Sequence, residues 1–593
     1  MSWGWRTKPR SIIRTVEWFP CFATLEGQNW NQENGRVSRK DGNPIHPVRR
    51  AYIYSAHGED DPWLSTISYQ DYLEGQQDIK ETESNGRNDK TTFEFLGLGY
   101  VDKKGLIRVN EVGSKIVNGT FDQEDYLKQL LKMRLPNYTY ESGRMKLGKY
   151  VFPFQLILEA FGRFESLNRS ELALLFGCED TSRIPAALDA IGAFKEGYEA
   201  LENKNSRKEV EALFSSVFLR YYGGSKLPNQ AASFYDYAEG LARTLIYTGL
   251  FSASGRSIAT KIRVAEHSRL KVQMLRDKYE FFWPEELNSL DAYMAWYGSS
   301  HNVILPWENA KERSAIIENK AELLLEKLET ASREYEQRAP ISREEIRRLL
   351  EKAKNTSDNE DLKELEHTLS NAITSHNEEY FIRVQSKTSE ERAAIMEKFK
   401  DILANDDMSA LWLEVNTWKS LIAVEGDQVV KRNFKIEDDL TPKSFAPGVG
   451  NTPDMELYKN GYIIIPEVSL MTGVRQWEHE ASSVVEHVLR FIRQYEKKRV
   501  LGLFLSSSIN VRTLWQFFLL SRESWMGQPV PVVPMTISQY MEVIGHIYKK
   551  NWKIDQLYQL LEVISRGSLQ CRNFEVWKDY IGESIVQWKA QAL

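Results

Sequence analysis

Asp454 and Glu467 lie on either side of an Asn-Gly pair in the stretch Thr452-Pro-Asp-Met-Glu-Leu-Tyr-Lys-Asn-Gly-Tyr-Ile-Ile-Ile-Pro-Glu-Val-Ser469. An Asn-Gly pair between apolar runs predicts a two-residue hairpin with a type I′ turn, whose two central residues take φ > 0. Such a turn pairs Lys459 with Tyr462 and, counting outward, sets Asp454 opposite Glu467 on one face. Directly opposed residues have Cβ atoms about 5 Å apart. Two carboxylates there repel by roughly 3 kcal/mol at an effective dielectric near 20. A divalent cation between them turns that repulsion into a binding site. Oxygen-only ligation with few partners favours Mg²⁺, which keeps several waters and takes one or two carboxylates plus phosphate oxygens. Acidic residues on an exposed hairpin are commonplace, however, and a bulge would shift the register.

Two further features bear on the pair. Pro453-Asp454 followed by Glu467-Val-Ser469 has the outline of the PD-(D/E)xK nuclease motif, with Ser469 where lysine is usual. Next comes Gly473-Val-Arg-Gln-Trp-Glu-His-Glu480-Ala-Ser-Ser-Val-Val-Glu-His487, whose pattern predicts an α-helix. Gln476, Glu480, Val484 and His487 then share one face, which Phe491 extends by a turn, with Val488 on its flank. Three polar groups among apolar residues do not suit a plain core face. Glu480 becomes the candidate to supply from the helix what the missing lysine would otherwise do, and His487 a supporting group. Glu478 points about 200° away from Glu480 and is expected in solvent. Glu414, on a helix entering the same region, is a less secure fourth acid; an ordinary exposed helical Glu is its plainer account.

These residues sit in a chain of 593, too long for one core. With 42% hydrophobic and 27% charged residues it reads as globular rather than disordered. The 16 Trp, 27 Tyr and 26 Phe suffice for several cores and for stacking surfaces besides. A net charge of −6 does not by itself suggest a nucleic-acid binder, but only the contacting face must be basic. Cys21, Cys178 and Cys571 are odd in number and far apart, and no histidine cluster has zinc spacing. No stretch reaches membrane-spanning length, and Met-Ser-Trp-Gly-Trp-Arg has no signal-peptide core; the expectation is a cytoplasmic protein without a membrane partner. Gly97-Leu-Gly99 and Gly448-Val-Gly450 are too weak to mean nucleotide binding, so no nucleotide cofactor is expected.

Residues 1–50 carry nine Lys/Arg, among them Arg6, Lys8, Arg10, Arg36, Arg39 and Lys40, against four acids. Trp3, Trp5, Trp18 and Trp30 are interleaved with them, which is compatible both with a solvated basic face and with a phosphate-contacting arm. Two later segments read as variants of one unit: Phe95 to Val109, with Lys103, Lys104 and Arg108, and Tyr247 to Thr260, with Arg256, Lys261 and Arg263 following. Each ends a helix at a Gly and continues as a hairpin, the pattern of a winged helix as well as of an ordinary helix–hairpin packing unit. Residues from about 307 to 400 are rich in Glu, Lys, Arg, Ala and Leu, which predicts charged helices broken at Pro340 and near Asn355-Thr-Ser-Asp-Asn-Glu360. After about 401 the pattern becomes α/β, with a small mixed sheet flanked by helices.

Taken together, these stretches make the chain resemble a type IIS restriction endonuclease of the AlwI group, which includes related nicking endonucleases. The resemblance rests on Arg10-Ser-Ile, Leu25-Glu-Gly-Gln-Asn-Trp30, Tyr126-Leu-Lys-Gln-Leu-Leu-Lys-Met-Arg-Leu-Pro-Asn137 and Ile246-Tyr-Thr-Gly-Leu-Phe251 at the N-terminal side. At the C-terminal side it rests on Gly450-Asn-Thr-Pro-Asp-Met-Glu456, Glu467-Val-Ser469 and the Gln476–Glu480–His487 helix. It implies a multidomain α+β protein: a winged-helix DNA-recognition region over 1–290, a charged helical linker over 291–400, and a PD-(D/E)xK-like nuclease over 401–593. It also implies Mg²⁺-dependent cutting of double-stranded DNA a fixed short distance to one side of an asymmetric site. Asp454, Glu467 and Glu480 carry over as acidic, metal-binding residues, with Glu414 less secure. A hydroxyl residue at 469 is normal for this group.

One apparent active site per chain calls for a transient homodimer or a second subunit to cut both strands. A strand-specific nicking endonuclease, or the large subunit of a heterodimeric restriction enzyme, is therefore the nearest alternative, and a non-catalytic winged-helix DNA-binding regulator the alternative of another class.

Overall fold

The computed structural model describes residues 3–6, 12–28, 30, 82–202, 206–223, 228–254, 261–334, 341–404, 409–425, 430–437, 439–443, 452–473, 476–524 and 527–590. The chain divides into two compact units, Met1–Ile316 and Ile317–Leu593. Each is mostly helical with a small sheet content, a mixed α+β architecture.

In the first unit the Thr82–Phe95 helix ends at Gly97, whose φ of 71° is left-handed backbone. A side chain there would also strike the Tyr297 ring, since a Cβ would lie 2.7 Å from Cδ1. The chain then forms the antiparallel hairpin β1 (Gly99–Val101) and β2 (Ile107–Val109). A second helix–hairpin motif of this kind lies in the same unit, after helices from Pro153 to Tyr247. There β4 (Phe251–Ser254) and β5 (Lys261–Val264) pair antiparallel, and β3 (Ser166–Asn168) adds to β5, giving the order β3-β5-β4. The helix after β3 starts cleanly because Asn168 and Glu171 form a capping box.

Two of the interleaved tryptophans near the N-terminus belong to the core rather than to a stacking arm. Trp3 and Trp5 are buried, Trp3 against Phe176 (centroids 4.3 Å) and Trp5 edge-on to Phe95 (5.3 Å). The Trp5 indole N–H donates to Thr244 Oγ1 at 3.1 Å. Burying such rings stabilises more than presenting them to water, provided the indole N–H finds an acceptor.

The charged helices Arg343–Asn355, Asn359–Arg383 and Ser389–Leu403 fall within the second unit. Their sequence looks polar because only a stripe is apolar: Leu362, Leu365, Leu369 and Ile373 are buried at helical spacing. Phe381 stacks on Trp418 at 5.8 Å, Asn416 Nδ2 donates to the Ile395 carbonyl at 3.0 Å, and Arg432 pairs with Glu378.

The sheet of this unit has the order β10-β9-β8-β7-β6, with β6 Val430–Arg432, β7 Met455–Tyr458, β8 Tyr462–Ser469, β9 Arg499–Ser506 and β10 Val532–Thr536. β6, β7 and β8 are antiparallel neighbours; β8, β9 and β10 run parallel, joined by the helices Ser482–Gln494 and Val511–Arg522. Parallel strands need such crossovers, and layers on both faces explain why β8 and β9 read as nearly unbroken apolar runs.

The hairpin register is the expected one: Leu457 faces Ile464, Tyr458 faces Ile463, and Lys459 N–H donates to the Tyr462 carbonyl at 3.0 Å. The turn is not the expected type I′, because neither Asn460 nor Gly461 takes a positive φ. The neighbouring strand supplies the reason. Arg499 N–H donates to the Gly461 carbonyl (3.1 Å) and Lys498 Nζ to the Lys459 carbonyl (2.8 Å). These bonds fix the loop from outside.

The Ser482–Gln494 helix sits close on β9 because Gly502 has no side chain; a Cβ there would lie 2.8 Å from Val488 Cγ2 and 3.1 Å from Val532 Cγ2. Gly502→Ala is therefore expected to destabilise the second unit by about 1–3 kcal/mol through overpacking. Denaturant unfolding followed by tryptophan fluorescence checks this, and a neutral substitution would show that the helix has slack over the sheet.

Candidate active site

The acids meet where the hairpin opens. Pro453 and Asp454 are pinned by Asn433, whose Nδ2 donates to the Pro453 carbonyl (2.8 Å) and whose N–H donates to the Asp454 carbonyl (2.9 Å). Asp454 lies just ahead of β7, and Glu467 is buried on β8. The two hold each other's strands. Val468 N–H donates to Asp454 Oδ2 at 2.8 Å, and Asp454 N–H makes a long contact of 3.4 Å with Glu467 Oε2.

His487, buried on the Ser482–Gln494 helix, places Nδ1 2.6 Å from Glu467 Oε1. Two acceptors cannot approach so closely, so one proton lies between them. Burial lowers the His487 pKa, which keeps the ring neutral near pH 7. Ser469, standing where lysine is usual, favours the charged form of Glu480 and so opposes the effect of its burial. Glu414, on the Ser409–Glu425 helix, is half-buried and feels the charges of Asp454 and Glu480.

Electrostatics tie the four acids into one group. Burial, then the charges of Asp454 and Glu480, push Glu414 up to about 8. Burial likewise carries Glu467 to about 8, with Glu480 and Glu414 adding to it, although the Asp454 backbone N–H opposes the rise. Asp454 is raised well above the usual carboxylate range by burial and then by Glu467, and burial also raises Glu480. Desolvation and like charge act together here, the pattern that marks functional carboxylates.

The donor set is all oxygen, apart from His487 standing behind Glu467. Among the described residues no three His, Cys, Asp or Glu side chains converge as a ready metal cage. A hard cation that keeps its waters and takes few carboxylates suits such a set. The repelling, desolvated Asp454–Glu467 pair fits that demand.

The helix preceding this face differs from expectation. Gln476–Ala481 is a π-turn, and regular α-helix begins only at Ser482. Gln476 is fully buried and engaged away from the acids. Its Nε2 donates to the carbonyls of Met471 and Ser508 (2.8 Å each) and to Ser506 Oγ (2.9 Å), while Oε1 accepts from Asn510 N–H at 2.7 Å. Satisfying these groups outweighs regular winding, and π-turns gather at functional sites. Glu478 is exposed, as its place on the wheel predicts. The Val468 amide is a partner that sequence reasoning misses, since a backbone donor has no sequence signature.

The basic candidates separate. Lys103 and Lys104 are exposed at the β1–β2 tip, and Lys261 and Arg263 are exposed on β5. Arg108 instead pairs with Asp102 at 2.8 Å at the surface, while Arg6 turns inward and donates to Thr92 Oγ1 (3.3 Å) and the Asn88 carbonyl (3.1 Å). Lys8, Arg10, Arg36, Arg39, Lys40 and Arg256 lie outside the described residues. No helix among the described residues is long and apolar enough to cross a membrane.

The AlwI restriction endonuclease family matches residues 95–543, and the chain belongs to it. It is thus a restriction endonuclease, which sets aside the reading as a non-catalytic regulator. Among solved structures, the small subunit (R.BspD6I2) of the heterodimeric restriction endonuclease R.BspD6I aligns over 33% of this chain and 98% of its own, at 17% identity and a TM-score of 0.29. Comparison with curated proteins gives no match.

The raised acids give a testable pH dependence. A folded-state pKa near 8 for Glu467 means that the folded protein keeps a proton which the unfolded chain releases above its ordinary value of 4.5. The stability this group contributes is therefore complete below about pH 4.5 and is lost as pH rises through about 8. In EDTA, Glu467→Gln is expected to raise the melting temperature by several degrees at about pH 9 and to change it little at about pH 4. Equal shifts at both pH values would show that the folded protein does not raise the Glu467 pKa.

Proposed function

We propose that the chain is a type IIS enzyme that binds a short asymmetric site in double-stranded DNA through its first unit and hydrolyses phosphodiesters to one side of it with its second. The observation that carries the catalytic assignment is the Asp454–Glu467 pair, desolvated and held together across the hairpin. Antiparallel strands β7 and β8, with Asp454 just ahead of the first and Glu467 on the second, followed by a helix and a parallel strand, support a PD-(D/E)xK-like reading. The sheet order β3-β5-β4 with its intervening helices supports a winged-helix reading of 153–264, and the helix and hairpin over 82–109 a simpler one.

Asp454 and Glu467 are the proposed Mg²⁺ ligands, with Glu480 completing the set and Glu414 beside it. The ion, when bound, polarises the scissile phosphate and lowers the pKa of a bound water. The chain's own groups do the positioning. The Val468 amide fixes one oxygen of Asp454, His487 fixes one oxygen of Glu467, and Ser469 favours the charged form of Glu480. His487 also holds, at Nδ1, the proton it shares with Glu467.

Among the described residues the candidate acids form one cluster. Cutting both strands then requires a second copy of the chain or a separate subunit, and a single chain acting alone would nick. Supercoiled plasmid converted only to open circles would identify a nicking enzyme, and run-off sequencing of the products gives site, offset and strand together.

Asp454→Asn is expected to abolish cleavage, by more than about a hundredfold, while specific binding survives. Gel shift and digestion in Mg²⁺ against EDTA check this, and a variant cutting at the wild-type rate would refute the site. A fragment of residues 1–316 is expected to bind the site without cutting and to weaken as salt rises. Specific binding by residues 317–593 alone would overturn the division of labour.

A further inference from the structure

The first unit carries an exposed loop that the recognition reading has not used. Leu135 and Val151 close its base, each N–H donating to the other's carbonyl at 2.9 Å. Asn137 Oδ1 accepts from Thr139 N–H, Thr139 Oγ1 and Tyr140 N–H, all at 2.9 Å. The chain then forms a short 3₁₀ turn, Ser142–Leu147, with left-handed backbone at both ends: Glu141 (φ 55°) and Gly148 (φ 68°). Left-handed backbone is unfavourable for a glutamate, and such strain persists only where the surroundings over-determine it. Here Arg144 pairs with Glu141, and the Tyr150 carbonyl is held by Thr181 N–H (2.9 Å) and Oγ1 (3.0 Å). The Tyr150 ring lies 5.0 Å from the Arg134 guanidinium, which itself stacks on Trp283 at 3.6 Å.

All this bracing presents a particular tip. Leu147 is 67% exposed, flanked by Lys146 and Lys149, both exposed and neither with a hydrogen-bond or ion-pair partner among the described residues. From Ser142 to Tyr150 there is no acid. Of the neighbouring acids, Glu141 is occupied by Arg144, and Asp180 accepts from Ser182 N–H and Oγ with one oxygen and feels the Lys149 charge without an ion pair to it. A lone exposed leucine is ordinary. One held out on a strained, braced turn between two unpaired lysines is not.

We propose that this tip contacts duplex DNA, with Lys146 and Lys149 on backbone phosphates and Leu147 inserted as an apolar wedge at a base step in the minor groove. The charges complement the polyanion, and a narrow apolar side chain flanked by cations suits a narrow groove whose base steps can be partly unstacked. The wedge bends the duplex and so favours deformable steps within or beside the recognised site. The inference rests on the DNA-binding role assigned to the first unit and adds a point of attachment to it.

The test uses the full-length chain in EDTA, with a short duplex carrying the site mapped by run-off sequencing and dyes at its two ends. Lys146→Ala combined with Lys149→Ala is expected to reduce the slope of log affinity against log salt by about 1.8, which is about 0.9 for each phosphate that is no longer neutralised. Leu147→Ala is expected to keep the wild-type slope, weaken binding about tenfold, and diminish the end-to-end energy-transfer change that reports bending. All three side chains are exposed, so melting temperatures should match wild type. An unchanged slope in the lysine variant, or a Leu147→Ala variant that binds and bends like wild type, would overturn the loop assignment while wild-type cleavage leaves the nuclease reading intact. A wild-type chain that neither binds nor cuts DNA overturns both.

Discussion

Like charges in a dry place must be held together by something other than each other, and in this protein the backbone does it. Asp454 takes the amide proton of Val468, and Glu467 faces the amide of Asp454, so each carboxylate leans on the strand that carries its rival. The exchange works only while β7 and β8 keep their register. A slip of one residue would turn one carboxylate to the opposite face of the sheet. The rest of the second unit serves to prevent that slip: Asn433 anchors Pro453 and Asp454 from the β6 side, and β9 grips β8 along its whole length.

The helix that crosses from β8 to β9 completes the arrangement from the other direction. It brings His487 onto Glu467 and Glu480 onto Ser469, and it reaches them because Gly502 lets Val488 settle against the sheet. Its opening π-turn is tied to the ends of β8 and β9 by Gln476. The acids are therefore carried by three elements: the hairpin, the crossover helix and the Ser409–Glu425 helix. All three are seated on one apolar core. Rigid seating matters because carboxylates free to swing apart would relax toward water and lose the strained electrostatics.

The parts of this fold legible in the sequence are those governed by local periodicity. The hairpin register, the apolar strand at β9, the interruption near Asn355 and the helix–glycine–hairpin units all follow from patterns a few residues long. What escapes such reading is decided by distant partners. Trp3 and Trp5 look like stacking residues until Phe176 and Phe95 arrive from elsewhere to bury them. Gln476 shares a helical face with Glu480 on a wheel, yet Met471, Ser506 and Ser508 claim its amide. The helices after Ile317 read as a polar spacer because a narrow aliphatic stripe barely alters their composition. For the site itself, residue types and spacing nominate Asp454, Glu467, Glu480, Glu414 and His487, and the fold gathers these five.

The turn at Asn460 and Gly461 has a consequence for how this protein can change over generations. Its shape is imposed by Arg499 and Lys498 rather than by the left-handed backbone that Asn-Gly pairs favour. The memory of the register is thus stored in the neighbouring strand and not in the loop's own letters. Nothing lies within 4 Å of where a side chain at 461 would begin. The loop is consequently free to drift through many sequences without disturbing the acids a few residues away, whereas the ordinary-looking Lys498 at the entrance of β9 is not so free.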